Sequence, residues 1–343
     1  MNKAQKIFIL TLILCLVFVT GCGAEEKSED LGEPLSKDIF AMDTYMTLTA
    51  YGEAAEDALN QAEAEIYRID ALLSTGNPES EISKLNKEKH LAVSEETFNL
   101  IKRACEMGED TKGVFDITIY PIMGAWGFTD GNYRVPDEKE LKDLLKRVDY
   151  SKVVLNEEDL SVTLEDDMEI DLGGIAKGYT SDRIEELMKN CGVEHGLINL
   201  GGNVQVIGNK PDGSDWKVAV IDPQDQEYYV GIVAVSDKAV ITSGGYQRYF
   251  EQDGKTYIHI IDTSDGYPAA NGLLSTTVVS DDGTLADALS TSLFVMGPEK
   301  AVDYWRANSD KFDMVLVKDD GTLLVTEGLD GRFNTECEYE FVS

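Results

Sequence analysis

The chain has 343 residues and a formal net charge of −34, from 64 acidic and 30 basic side chains. That balance excludes nucleic acid and anionic membrane as charge-driven partners. A hydrophobic content of 43% excludes wholesale disorder and leaves room for one large or two ordinary domains with a sizeable core.

Residues 1–22 read as a targeting segment: Lys3 and Lys6 give a positive start, and residues 7–19 form an apolar run too short to span a bilayer comfortably. The segment ends in Val19-Thr20-Gly21-Cys22, which resembles the lipobox of bacterial lipoproteins. The resemblance implies cleavage before Cys22, lipidation of that cysteine, and a mature protein anchored on the outer face of the cytoplasmic membrane. Residues 23–37 are acidic and contain Pro and Gly, as expected of a flexible tether, and residues 38–343 are expected to form one compact unit. The remaining cysteines, Cys105, Cys191 and Cys337, show no C-x-x-C spacing and give no zinc or iron–sulfur signal; one disulfide is possible among them.

Residues 38–51 alternate like a single strand, and residues 53–73 carry helical periodicity. A short helix is predicted over 80–86, and Ser94 with Glu95 and Glu96 caps another that runs to Glu109. Asp116, between Phe115 and Ile117, either meets a polar partner in the interior or serves as a cap or turn carboxylate. A surface helix is predicted over 136–147 and a hairpin over 153–155 and 161–164.

The alternating run Met168, Ile170, Leu172 predicts a strand, followed by Asp171-Leu-Gly-Gly-Ile-Ala-Lys-Gly-Tyr179 and a helix over 175–189. A helix start next to two glycines offers free N–H groups to an anion, with Lys177 as a neighbouring cation and Asp171 able to orient a ligand or hold a metal. The stretch matches neither G-x-G-x-x-G nor G-x-x-x-x-G-K-[ST]. A plain glycine-softened turn with a surface lysine explains the same residues equally well.

Strands are then predicted over 196–200, 204–208, 216–221, 228–235 and 239–243, with Gly201 and Gly202 marking close approach of a ligand or another strand. A hairpin turns at Asp253-Gly254 and returns through residues 255–262, which carry His259. A lone strand histidine is either structural or catalytic, whereas His90 and His195 lie in polar, turn-like surroundings and read as surface residues. After a strand over 275–280, the helix over 283–296 puts Asp287, Ser290 and Thr291 on one face. Those oxygens suit Mg²⁺ or Ca²⁺, or they are a helix-start carboxylate with back-bonded hydroxyls. A helix over 298–308, a strand over 312–317 and a closing hairpin through 322–326 complete the reading.

Met42-Asp-Thr44, Phe115-Asp-Ile-Thr118, Trp126-Gly-Phe128, the Asp171 stretch, Gly201-Gly-Asn203, Thr242-Ser-Gly244, His259-Ile-Ile-Asp262 and Ala286-Asp-Ala-Leu-Ser-Thr291 together resemble the ApbE family of FAD:protein FMN transferases. The resemblance implies an α+β fold of mixed, largely antiparallel sheets with packed helices. It also implies Mg²⁺-dependent transfer of FMN from FAD to a threonine hydroxyl of a partner protein, with release of AMP. Matched position by position, the metal falls to Asp287, Thr291, Ser290 and the carbonyl of Gly174. FAD falls to Met42, Gly76, Val114, Phe115, Asp116, Asp171, Lys177 and Ile261. His259 matches the proton acceptor, with Asp287 as the alternative base. The partner is an exported acceptor protein, a subunit of a membrane redox complex being one candidate. Asp43 stands where the family usually has Gly, and Gly76 where an aromatic commonly stacks on the flavin. The alternatives are an FAD pyrophosphatase yielding FMN and AMP, and a non-catalytic flavin-binding lipoprotein.

Overall fold

The computed structural model describes residues 31–343, which form one compact unit. The expected signal segment, Cys22 and most of the tether lie outside the described residues. The sheet begins at Leu35, so Leu35, Ser36 and Lys37 belong to the first strand and not to the tether.

The backbone is a nine-stranded sheet whose spatial order is its chain order: Leu35–Ala41, Thr44–Ala50, Gly196–Leu200, Asn203–Ile207, Ala239–Gly244, Leu273–Ser280, Asp313–Lys318, Leu323–Thr326 and Tyr339–Val342. Every pairing is antiparallel except the last, where Tyr339–Val342 runs parallel to Leu323–Thr326. Alternate residues of Thr44–Ala50 are buried, as a sheet with one face on the core requires. The fold is therefore α+β with mixed, largely antiparallel sheets.

One face of the sheet carries the helices. Met46, Leu48, Ile198 and Leu200 pack against Ala58, Ala62 and Ile66 of the Ala55–Leu73 helix and against Ile184 and Met188 of the Ala176–Asn190 helix. Each large side chain buried there contributes about 1.5–3 kcal/mol. The opposite face, rich in Val240, Val279, Val315 and Val317, packs on a three-stranded sheet of Trp216–Ile221, Tyr229–Val235 and Phe333–Asn334. A smaller sheet joins Val154–Asn156, Ser161–Thr163 and His90–Ala92.

Most predicted helices form near their expected bounds: Glu81–Glu88 and Glu95–Asp110 start at Ser80 and Ser94, whose hydroxyls accept the N–H of Ser83 and Thr97. The predicted helix over 136–147 is an α-helix, Glu138–Leu144, tightened into a 3₁₀ turn at Leu145–Arg147.

Three expectations are corrected. The run 38–51 is a hairpin and not one strand: Met42 and Asp43, at φ 49° and 56°, form its two-residue turn between the paired Ala41 and Thr44. Met168, Ile170 and Leu172 are buried without forming a strand, because the buried Asn86 side chain pairs with both the N–H and the C=O of Ile170 at 2.8 Å. An amide side chain there does the work of a neighbouring strand. The strand carrying His259 ends at Ile258, and His259 begins the loop that follows.

Candidate active site

Two helices and two loops meet where the candidate residues gather. The Ala176–Asn190 helix crosses Gly283–Met296 at a glycine contact: a Cβ on Gly178 would lie 2.2 Å from the Gly283 carbonyl and 2.6 Å from the Asp287 Cβ. Only glycine permits that approach. At the crossing, each helix end is capped by a carboxylate of the other helix. Gly178 N–H donates to Asp287 Oδ2 at 2.8 Å, while the N–H groups of Gly283 and Thr284 donate to Asp182 at 2.8 Å. Asp287 is thus not the helix-start cap of its own helix; that place belongs to Asp282, which accepts Leu285 N–H. Burial pushes the Asp182 carboxyl up, opposed by its bonds to Thr284.

Asp287 is 3% exposed and its Oδ1 lies 3.7 Å from Lys177 Nζ. One turn on, Ser290 Oγ donates back to the Asp287 carbonyl at 2.8 Å, so the back-bonded reading holds for Ser290. Thr291 meets Ser290 at a shared neighbour: Ser243 Oγ lies 3.1 Å from Thr291 Oγ1 and 2.7 Å from Ser290 Oγ. Three hydroxyls therefore meet one turn on from the Asp287 carboxylate, all hard oxygen donors of the kind Mg²⁺ takes. Among the described residues no group of three or more His, Cys, Asp or Glu side chains offers a softer metal centre. Ser243, from the strand Ala239–Gly244, was not singled out from sequence; its place depends on the helix packing over that strand.

The turn before Ala176–Asn190 closes on itself. Asp171 Oδ1 accepts Gly173 N–H at 3.0 Å, and a Cβ on Gly174 would lie 3.1 Å from Phe115 Cε2. Phe115 therefore covers the turn. Burial pushes the Asp171 carboxyl up, while the Gly173 N–H and the cations Arg248 and Lys177 pull it back. The next residue along from Phe115, Asp116, accepts Thr118 N–H and Oγ1 through Oδ1 and Tyr150 N–H through Oδ2. Its geometry is that of a cap, with burial raising its pKa against those bonds. Val114 lies beside it in the loop, whose Gly113 carbonyl accepts Thr263 Oγ1 at 2.7 Å.

His259 lies within the field of the same cations. Its pKa is pushed down to about 4, first by desolvation and then by Arg248 and Lys177. Its Nδ1 lies 3.1 Å from the Arg248 carbonyl, and its ring lies edge-on to Phe128 at 6.4 Å. Arg248 was missed in the sequence. It is an exposed arginine within a polar turn, and only the fold brings it to His259.

Among the other candidates, Met42 reaches the site helix, accepting Thr180 Oγ1 at 3.8 Å through its sulfur. Ile261 is buried with Trp126, Phe128 and Phe250, behind the His259 loop. Gly76 lies in an exposed turn braced by Ser74, Ser80 and Ser83, where an added Cβ meets only Ser74 Oγ at 3.6 Å. Gly201 and Gly202 form a hairpin turn against the neighbouring strand, with Gly201 tight on the Thr44 hydroxyl. Cys105, Cys191 and Cys337 are free thiols.

The sequence profile of the ApbE family matches residues 42–316. The chain belongs to the ApbE family. It is 35% identical to an FAD:protein FMN transferase of Klebsiella pneumoniae over 276 residues, covering 78% of this chain and 84% of that protein. The crystal structure of the ApbE protein of Thermotoga maritima superposes with a TM-score of 0.82 at 32% identity, covering 88% of this chain and 99% of that one. The flavinyl transferase ApbE of Pseudomonas stutzeri, in its apo form, gives a TM-score of 0.78 at 27% identity, covering 88% of this chain and 96% of that one. Membership places this chain among transferases.

Proposed function

We propose that the chain is an FAD:protein FMN transferase that moves FMN from FAD to a threonine hydroxyl of an exported acceptor protein, releasing AMP. The observation that carries this reading is the convergence of two cations, Lys177 and Arg248, on a neutral histidine and a carboxylate at one helix start. Lys177, at the helix start, supplies positive charge that a diphosphate needs on so acidic a chain. On this reading FAD would be contacted by Asp171, Phe115, Met42, Val114, Asp116 and Ile261.

In the reaction the threonine oxygen forms a bond to the FMN-side phosphorus, and the bond from that phosphorus to the oxygen of AMP breaks. His259 is neutral, so its free ring nitrogen accepts the threonine proton as the new bond forms. The oxygen set fits Mg²⁺: Asp287, Thr291, Ser290 and the Gly174 carbonyl would hold it, with Ser243 adjacent. When bound, the ion neutralises charge developing on the phosphate oxygens.

We place the enzyme outside the cytoplasmic membrane, tethered through Cys22, on the strength of the Val19-Thr-Gly-Cys22 pattern. Among the described residues no helix is long and apolar enough to cross a membrane.

The test is mass spectrometry of an acceptor protein carrying a target threonine, after incubation with the enzyme, FAD and Mg²⁺. An FMN adduct on the threonine with stoichiometric AMP is expected. Bound FAD without adduct, or free FMN at the rate of AMP release, refutes transfer. In cells, Cys22→Ser is expected to move the protein from the membrane fraction to the soluble fraction.

A further inference from the structure

Arg248 belongs to none of the motifs read from the sequence, yet its carbonyl meets His259 and its guanidinium meets Phe128. Its carbonyl accepts the His259 backbone N–H at 3.0 Å and lies 3.1 Å from the ring Nδ1. A carbonyl can only accept, so Nδ1 carries the ring proton and Nε2 keeps a bare lone pair. At the other end of the residue, Nη2 donates to the Phe128 carbonyl at 2.6 Å. Phe128 is 2% exposed and packs with Phe250 at 5.7 Å, so the anchor point is rigid. Arg248 is the last residue of the turn 245–248, and its side chain straps that turn to the buried aromatic cluster.

We propose that Arg248 is a positioning residue for His259: the strap from its guanidinium to the Phe128 carbonyl holds its own carbonyl at Nδ1, fixing the imidazole as the Nδ1–H tautomer with Nε2 free. Its consequence for rate rests on the base role given to His259 above, while the tautomer itself can be read without substrate. The charged groups acting on the ring are Arg248 and Lys177, both cationic, and both favour the neutral form. Loss of the guanidinium removes one of the two charges along with the strap.

The experiment is nitrogen NMR of the three histidine rings in the ¹⁵N-histidine-labelled full chain in detergent, with His259→Gln assigning the signal. Wild type, Arg248→Ala and Arg248→Lys are titrated from low to neutral pH. Wild type is expected to show the Nδ1–H tautomer alone at neutral pH. Arg248→Ala is expected to mix the tautomers and raise the ring pKa by about one unit. Arg248→Lys keeps the charge and a donor and is expected to restore both. In FMN transfer, Arg248→Ala should lower kcat at least tenfold while the affinity for FAD changes by less than about threefold. Should the alanine variant fail to fold, Arg248→Gln, whose donor is too short to reach Phe128, carries the same tautomer test.

An Nε2–H tautomer in wild type overturns the proposal, as does an unchanged Nδ1–H tautomer in a folded Arg248→Ala. A variant that loses FAD affinity tenfold and keeps the tautomer makes Arg248 a ligand contact instead, which also overturns it. A wild-type enzyme with the expected tautomer and no transfer activity refutes the function proposed above and leaves the positioning role standing.

Discussion

Desolvation, together with the cations Arg248 and Lys177, lowers the His259 imidazole from 6.5 to about 4, so the ring stays neutral well below the pH at which a free histidine charges. Two outcomes follow at the residue scale. The acid limb of kcat/KM for FMN transfer, which reports the free enzyme, should fall nearer pH 4 than 6.5. Stability should also fall as pH drops through that window. The unfolded chain takes up the proton first, near 6.5, and the folded chain only near 4, so acid progressively favours unfolding between the two values. Thermal melts across the window should steepen for wild type and flatten for His259→Gln. Asp287 separates its two roles in a similar way. Asp287→Asn keeps an oxygen for Gly178 N–H and should cost under about 1 kcal/mol in urea unfolding. Asp287→Ala leaves that buried donor unpaired, at about 1–3 kcal/mol. Both should lower transfer by about a hundredfold or more if the carboxylate holds the metal.

At the scale of elements, the crossing of Ala176–Asn190 over Gly283–Met296 is the joint on which the site depends. Gly178→Ala drives a methyl into the Gly283 carbonyl and should cost about 1–3 kcal/mol or more in denaturant unfolding, with activity lost in parallel. Asp182→Ala removes the acceptor of two N–H groups and the Thr284 hydroxyl, and should destabilise by about 2 kcal/mol without touching the candidate ligands directly. The same joint explains what could be read in advance. Helix starts at Ser80 and Ser94 announce themselves through local caps, so those elements were legible. The glycines of the Asp171 stretch and the Asp287 face were visible as motifs, but that they touch each other is a tertiary fact with no local signal. Met42-Asp43 hid a hairpin turn because it lacks glycine, although both residues take positive φ. Asn86 gave no sign that it would pair with Ile170, 84 residues away. Arg248 looked like any surface arginine. Its relevance appears only when the hairpin folds back and sets its carbonyl against His259.

Across the whole molecule, the order of strands in the nine-stranded sheet has a bearing on assembly. Each strand joins beside the one that precedes it in the chain, so none has to be wedged between two that are already paired. A chain is made amino end first, and this topology lets the sheet grow at one advancing edge as it appears. The unpaired edge at any moment is the one that the next segment covers, which shortens the time during which sticky backbone is open to other chains. The parallel strand Tyr339–Val342 arrives last and is the final, short edge of the sheet.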